Sequence, residues 1–276
     1  MLIYDLADSL RSIHLWIELL VDDALKVTEA GGAVSVLGRP GTPHGPFRRC
    51  LRRLIHFFAY HLILGRQRPR ITRAGGFRLV VRPTVFHPRY FLSSEYFAEF
   101  ISHLDLRGKR VVDVGTGSGI LALAAALAGA ENVIATDINP NAALTAAENA
   151  RANGVDDRVS ALCSDLLSAL APRPLFDVIL SSPPKHAGKP RDLADRGWHA
   201  GPHYCDIAAL FDQSRERLKP GGRLYIMVSS DSDLELFGAF ITKAGFKAQL
   251  VAERSIFIES FLLYSLRACE GQRESR

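Results

Sequence analysis

The 276-residue chain has no paired-cysteine signature: Cys50, Cys163, Cys205 and Cys269 stand apart, with no C-x-x-C spacing. Zinc knuckles and thiol redox motifs need closely spaced thiols, so no metal site is expected and a reduced, cytoplasmic compartment is the simple reading. Long apolar runs are missing too. Residues 1–28 are rich in Leu and Ile but broken by Asp5, Asp8, Arg11, Glu18, Asp22 and Asp23, which excludes a signal-peptide core or a spanning helix, and no transmembrane segment is expected. Acid is absent from one whole region, since residues 30–94 contain no Asp or Glu. The same region carries Arg39, Arg48, Arg49, Arg52, Arg53, Arg66, Arg68, Arg70, Arg73, Arg78, Arg82 and Arg89, so the net charge of +5 conceals a basic block joined to an acidic remainder. With Phe47, Phe57, Phe58, Tyr60 and Phe77 interleaved, that block suits RNA or an anionic surface, and Arg48, Arg49, Arg52 and Arg53 are the foremost candidates. The alternative is a solvated helix face followed by a loop.

What is present is ordinary globular composition, 47% apolar and 23% charged, with enough apolar surface to fill a core. Leu2, Leu6, Leu10, Ile13, Ile17, Leu20 and Ala24 recur at three- and four-residue spacings and predict an amphipathic helix over 2–28; a second follows at 47–64, after the Gly/Pro-rich stretch 38–46. FRLVVRP and TVFHP, from Phe77, predict a short hairpin, and residues 93–104 a helix capped by Ser93 or Ser94. From there apolar runs at 111–114, 132–136, 158–163, 176–181 and 222–229 alternate with helical stretches at 118–129, 140–153 and 206–218, and a helix near 232–244 precedes two last strands. Strict strand–helix alternation predicts an α/β fold: a Rossmann-like, doubly wound, mostly parallel seven-stranded sheet with an antiparallel last strand, preceded by a helical region and a hairpin. The expected organisation is a helical, Arg-rich region at 1–75, a hairpin and linking helix at 76–104, a ligand-binding domain at 105–268 and a polar tail at 269–276.

The first chemical signal is VVDVGTGSGIL, residues 111–121, where a buried strand runs into Gly115, Thr116, Gly117 and Gly119 and then directly into a helix. Glycines at such a turn let the backbone approach a ligand and open the helix N-terminus toward it. A dinucleotide fingerprint would need Gly at 120, where Ile120 stands, so the spacing matches instead the G-x-G-x-G of enzymes that bind S-adenosylmethionine. Asp113 would face the amino-acid end of that cofactor. Twenty-two positions after Gly115, Asp137 ends the next strand and is placed to take the ribose hydroxyls, with Ile138 and Asn139 after it as further cofactor-binding candidates; the alternative for Asp137 is a cap for the helix opening at Pro140. Asp165 and Leu166, after the third strand, suit the adenine amino group and ring. The fourth strand ends in Ser182-Pro183-Pro184-Lys185, where two prolines force the chain off the sheet at its carboxyl edge.

These motifs carry a resemblance. LILGRQRPRITRAGGFRLVVRPTVFHPRYFLSSEYFAEFI, VVDVGTGSGI, ATDINP, SDLL and ILSSPP, spanning residues 62–229 or so, resemble class I methyltransferases of the HemK/PrmC release-factor glutamine type, and PPKHAG is similar to ribosomal RNA guanine methyltransferases with the same small domain. The resemblance implies S-adenosylmethionine as cofactor and methylation of a nitrogen on protein or RNA. It places Ser182 where the family's Asn contacts the acceptor, has Pro183 offer its carbonyl, puts Lys185 in the place of the aromatic, and gives Ser94 and Glu95 cofactor work. Serine lacks the paired donor and acceptor of Asn, and lysine cannot stack as Tyr does. Those departures keep a small-molecule methyltransferase in view, and a cofactor-binding protein without catalysis is the reading from another class.

The polar stretch 185–204 has the length of a substrate lid, with His186 and Trp198 as candidate substrate contacts; Trp198 would serve equally as a core anchor, and His186, His199 and His203 as loop histidines without chemical role. Gly201-Pro202 between His199 and His203 breaks the helical spacing a metal site would use.

Overall fold

The computed structural model describes residues 69–88, 92–256 and 259–269. The helices expected at 2–28 and 47–64, Cys50, and the arginines from Arg39 to Arg68 together with Arg89 lie outside the described residues. Among the described residues no helix is long and apolar enough to cross a membrane.

Two short strands open the described chain, β1 (Arg70–Ala74) and β2 (Phe77–Val81), paired antiparallel across Gly75-Gly76. This corrects the expected hairpin: FRLVV pairs with RITRA before it, not with TVFHP after it. The reason is local. Gly75 and Gly76 have φ of 55° and 81°, the two left-handed positions that a tight hairpin turn of matching twist requires, whereas Pro83 ends the strand on the other side. Helix α1 (Leu92–Ser102) follows, with Ser93 and Ser94 inside its first turn rather than before it.

The main sheet is built from β3 (Arg110–Val114), β4 (Asn132–Asp137), β5 (Val159–Cys163), β6 (Phe176–Ser181), β7 (Leu218–Ser229), β8 (Phe246–Ser255) and β9 (Ser260–Ala268), in the order β5-β4-β3-β6-β7-β9-β8. β9 alone runs against its neighbours, β7 and β8. Helices α2 (Ile120–Leu127), α3 (Pro140–Ala152), α4 (Cys205–Arg217) and α5 (Leu234–Lys243) cover the faces. Two cores result, one joining the sheet to α1, α2 and the hairpin, the other joining it to α4 and α5. α2, ILALAAAL, is buried from Ile120 through Ala126, which explains why it lacks a polar face. The chain turns both ways from β3, toward β4 and toward β6, and such a switch point opens a crevice at the carboxyl ends of the strands.

The hairpin is fastened to this layer by two asparagines one turn apart, Asn149 on α3 and Asn153 capping its C-terminus. Asn149 accepts from the Val80 amide (2.7 Å) and donates to the Val80 carbonyl (2.8 Å) and the Ser118 carbonyl (2.9 Å), while Asn153 accepts from the Arg78 amide (3.3 Å) and donates to its carbonyl (2.9 Å). Asn149 therefore pairs the strand edge as another strand would and ties it to the glycine turn. Because its amide is wholly buried, Asn149→Ala leaves several polar backbone groups unpaired, and a loss of about 2–3 kcal/mol in urea-unfolding stability is expected.

Candidate active site

Three parallel strand ends come level at the switch point. Val114 pairs with Thr136 on one side and Ser181 on the other, so the residues that follow, Gly115, Asp137 and Ser182, come level at the carboxyl edge of the sheet, with Asp137 as the last residue of β4. The Ser181 hydroxyl donates to the Val114 carbonyl (2.9 Å), and the amides of Gly115 and Thr116 both donate to the Thr136 carbonyl (2.9 Å each). A cavity of about 360 Å³ opens there, within the range of cofactor-sized sites. Gly115 and Gly117, at φ of 75° and 53°, face open space on it; Gly119 (φ 84°) instead lies where a Cβ would meet the backbone of Ala146 at 3.0 Å, so this glycine serves the close approach of α2 to α3 and does not line the cavity.

Asp137 stands at the tip of β4, on the cavity wall. Its Oδ2 accepts from the Gly117 amide (2.9 Å) and its Oδ1 from the Asn139 amide (2.9 Å), which stretches the glycine turn across the strand end. Burial pushes its carboxyl above the ordinary range, opposed by those two amides. The cap of α3 is Asn139, whose Oδ1 accepts from the Asn141 amide (3.0 Å) and whose Nδ2 donates to the carbonyl (3.1 Å) and hydroxyl (3.0 Å) of Thr84. The side chain of Asn139 is thus engaged by the protein itself, and it holds the segment after β2 against the cavity. Ile138, Asp165, Leu166 and Thr116 line the wall. Thr84 and Leu166, also on the wall, are non-glycine residues at φ of 65° and 51°, strain that persists only where surrounding contacts enforce it.

Asp113 sits elsewhere than expected. It is fully buried beneath the glycine turn, off the wall, and its Oδ2 accepts from the Thr116 hydroxyl at 2.6 Å. Burial, opposed by that hydrogen bond, pushes its pKa up to about 7. The side chain of a residue on alternate register from Val112 and Val114 points into the layer below the turn, so it can brace the turn but not meet a ligand directly.

Ser182, Pro183, Pro184 and Lys185 all line the cavity. Lys185 is not presented to it as a lone cation, because its Nζ lies 2.7 Å from Glu259 Oε2, with side-chain exposures of 16% and 9%, and the Ser229 hydroxyl donates to the same oxygen at 2.7 Å. Its Nζ also stands 6.0 Å from the Trp198 ring centroid. Trp198, 7% exposed, is both wall and anchor, packed edge-on to Phe86 (5.1 Å). His186 stacks parallel to Trp198 at 6.5 Å, and of these two candidate substrate contacts Trp198 lines the cavity while His186 stands behind it. Ser94 lines the cavity while Glu95 turns away to accept from the Gly75 amide at 2.8 Å.

The stretch expected as a lid is folded on itself. His186 N–H donates to the Trp198 carbonyl (3.1 Å), Ala200 N–H to His186 (2.9 Å) and Gly188 N–H to Gly201 (2.9 Å). Buried Asp195 gathers Arg191 (3.0 Å) and lies 3.3 Å from His199 Nδ1, and the Arg191 contact holds its carboxyl below the usual range. His203, exposed at φ of 51°, takes no part.

The family profile for ribosomal protein L11 methyltransferase (PrmA) matches residues 96–182, the stretch holding the glycine turn, Asp137 and Ser182. A ribosomal protein L11 methyltransferase of Methylococcus capsulatus is 32% identical over 151 residues, 55% of this chain and 44% of its own length; that of Actinobacillus succinogenes is 54% identical over 67 residues, 24% and 23%. The chain spans less than half the length of these curated relatives. Among solved structures, a ribosomal protein L11 methylase from Lactobacillus delbrueckii superposes over 67% of this chain and 82% of its own at 22% identity and a TM-score of 0.50. A T. thermophilus 16S rRNA N2 methyltransferase, solved with AdoMet and guanosine, covers 72% and 50% at 23% identity and 0.52. The fold is that of the class I methyltransferases. Glu259 and Ser229, which hold Lys185 on the cavity wall, are among the lining residues that the sequence reading missed. The signal was faint: one acid inside the apolar run IFIESFLLY, more than seventy residues from the lysine it meets.

Proposed function

We propose that this chain is an S-adenosylmethionine-dependent methyltransferase acting on a nitrogen of a protein or RNA. One observation carries the reading: the glycine turn, the Asp137 carboxylate and the Ser182-Pro183-Pro184 turn converge on a single cavity at the switch point. The cavity fits the cofactor. Gly115 and Gly117 leave room for close backbone approach, Asp137 offers a carboxylate for the ribose hydroxyls, and Asp165 with Leu166 suits the adenine.

When bound, S-adenosylmethionine supplies a methyl group on a cationic sulfur that departs neutral. The residues of the chain then chiefly have to align an acceptor. Ser182 Oγ and the Pro183 carbonyl accept hydrogen bonds from a nitrogen and fix its lone pair along the attack line, and such alignment is worth about 7–11 kcal/mol of barrier. Lys185 is neutralised by Glu259, so this wall favours an uncharged acceptor, an amide or a base amino group, over an anion. Arg48, Arg49, Arg52 and Arg53 belong to the same proposal as contacts to RNA or another polyanion.

The test is transfer of tritiated methyl groups from S-adenosylmethionine into fractionated lysate, followed by RNase or protease. Acid-insoluble label that one of the two enzymes releases is the expected result. Label confined to the dialysable fraction would point to a small-molecule acceptor, and calorimetric binding of the cofactor without label in any fraction would leave a binding protein and end the proposal.

A further inference from the structure

The outward face of the β1–β2 hairpin is arranged against its own stability. Arg73 and Arg78 are direct cross-strand partners, both exposed. They lie one position beyond the pair that closes the turn, and the Arg78 amide donates to Asn153 rather than across the hairpin, which marks a non-hydrogen-bonded pair, where opposing side chains stand closest. Like charges so placed are destabilising. Among the described residues neither guanidinium is ion-paired, whereas Arg82, on the segment leaving β2, is held by Glu148 at 3.0 Å. On the same face the Ile71–Val80 pair lies alongside, and Ile71 is 65% exposed. The support beneath is rigid, because the Asn149 and Asn153 clamps and the Gly75–Glu95 bond hold both the strand and the turn. No acidic residue occurs between positions 30 and 94 to answer these charges.

We propose that this face is an RNA-docking surface, on which Arg73 and Arg78 grip successive backbone phosphates and Ile71 lies against a base. A polyanion cancels the repulsion between the arginines, and a nucleic acid offers what the face offers, negative charge beside a flat apolar surface. A bilayer is less well matched, since a single exposed isoleucine gives little area to insert. The proposal does not depend on methyl transfer, and its test contains no cofactor, so either reading can fail alone.

The probe is a fluorescein-labelled single-stranded RNA of about twenty nucleotides of mixed sequence, followed by anisotropy against the full chain at several salt concentrations. The double variant Arg73→Gln/Arg78→Gln should bind roughly tenfold or more weakly at low salt and lower the slope of log K against log salt by about 1.4, the share of two phosphate contacts on a single strand. Its melting temperature should equal or exceed that of the unsubstituted chain, because the substitution removes a repulsion; a fold defect would instead lower both. Arg82→Gln, which breaks an internal ion pair, should weaken RNA binding much less. Unchanged RNA affinity in the double variant overturns the proposal, as does binding that ignores salt. So does loss of binding to phosphatidylserine vesicles in a chain that never bound RNA, which would assign the face to membranes.

Discussion

Asp137→Ala is expected to weaken S-adenosylmethionine binding about a hundredfold, close to 3 kcal/mol by calorimetry. Two losses combine. The carboxylate that would take the ribose hydroxyls disappears, and hydrogen bonds to charged groups are each worth about 1.5–3 kcal/mol. The amides of Gly117 and Asn139 also lose their acceptor, so the glycine turn is no longer pulled across the end of β4. Asp137→Asn separates the two, since its single carbonyl oxygen can keep one amide but cannot serve both amides and a ribose. It should fall between the original chain and the alanine variant. An affinity within threefold of the original in Asp137→Ala would show that the sugar is held by something else and would remove the carboxylate from the proposed site.

The parts of this site that were legible in the sequence are those carried by short, contiguous chemistry. Gly115-Thr116-Gly117 and Asp137 follow buried strands directly, and the parallel sheet brings successive strand ends to one edge, so sequence order translates into spatial neighbourhood. Ser182 is legible for the same reason, since Pro183 and Pro184 must leave the ladder there. What was not legible depends on contacts between distant segments. Glu259 reaches Lys185 from the turn between β8 and β9, and Ser229 from the end of β7, and nothing in the spacing of either announces the other. Asn149 and Asn153 read simply as polar helix residues, although they complete a strand edge on the hairpin. Asp113, fully buried under the turn, and Asn139, which caps α3 from the cavity wall, show the same limit, because position along the chain says that they stand near the turn but not which way each side chain faces. In the hairpin, the turn chemistry of Gly75-Gly76 outweighs the apolar pattern of TVFHP.

The Lys185–Glu259 pair also changes how the departures from the family pattern are understood. A lysine in place of a stacking aromatic would, alone, place a cation beside the reacting sulfonium and favour an anionic acceptor. Paired at 2.7 Å and shared with Ser229, it presents a donor and an acceptor with no net charge. Removing one partner strands the other charge in a mostly enclosed wall, which is why the two residues have to be considered as a unit.

The stability of the domain is expected to fall as pH rises from about 4 to about 7, and Asp113→Asn is expected to abolish most of that fall. Asp113 lies with no exposed surface under the glycine turn, and its pKa of about 7 in the folded chain compares with 3.8 for the unperturbed group. A carboxyl with a raised folded pKa binds its proton more tightly when folded, so the stabilisation is complete below the unfolded value and is lost as pH passes through the folded one. The difference corresponds to about 4 kcal/mol at most. Asp137 is pushed in the same direction and faces Asp113 electrostatically, so ionisation of either makes that of the other harder. Asparagine keeps an oxygen for the Thr116 hydroxyl and never ionises. Urea unfolding should therefore find Asp113→Asn close to the original chain at pH 4 and about 2–4 kcal/mol more stable at pH 8, with the two curves separating on the slope between. Parallel curves across that window would mean that the carboxylate is already ionised in the folded chain, and that the glycine turn carries a buried negative charge which its cavity must answer.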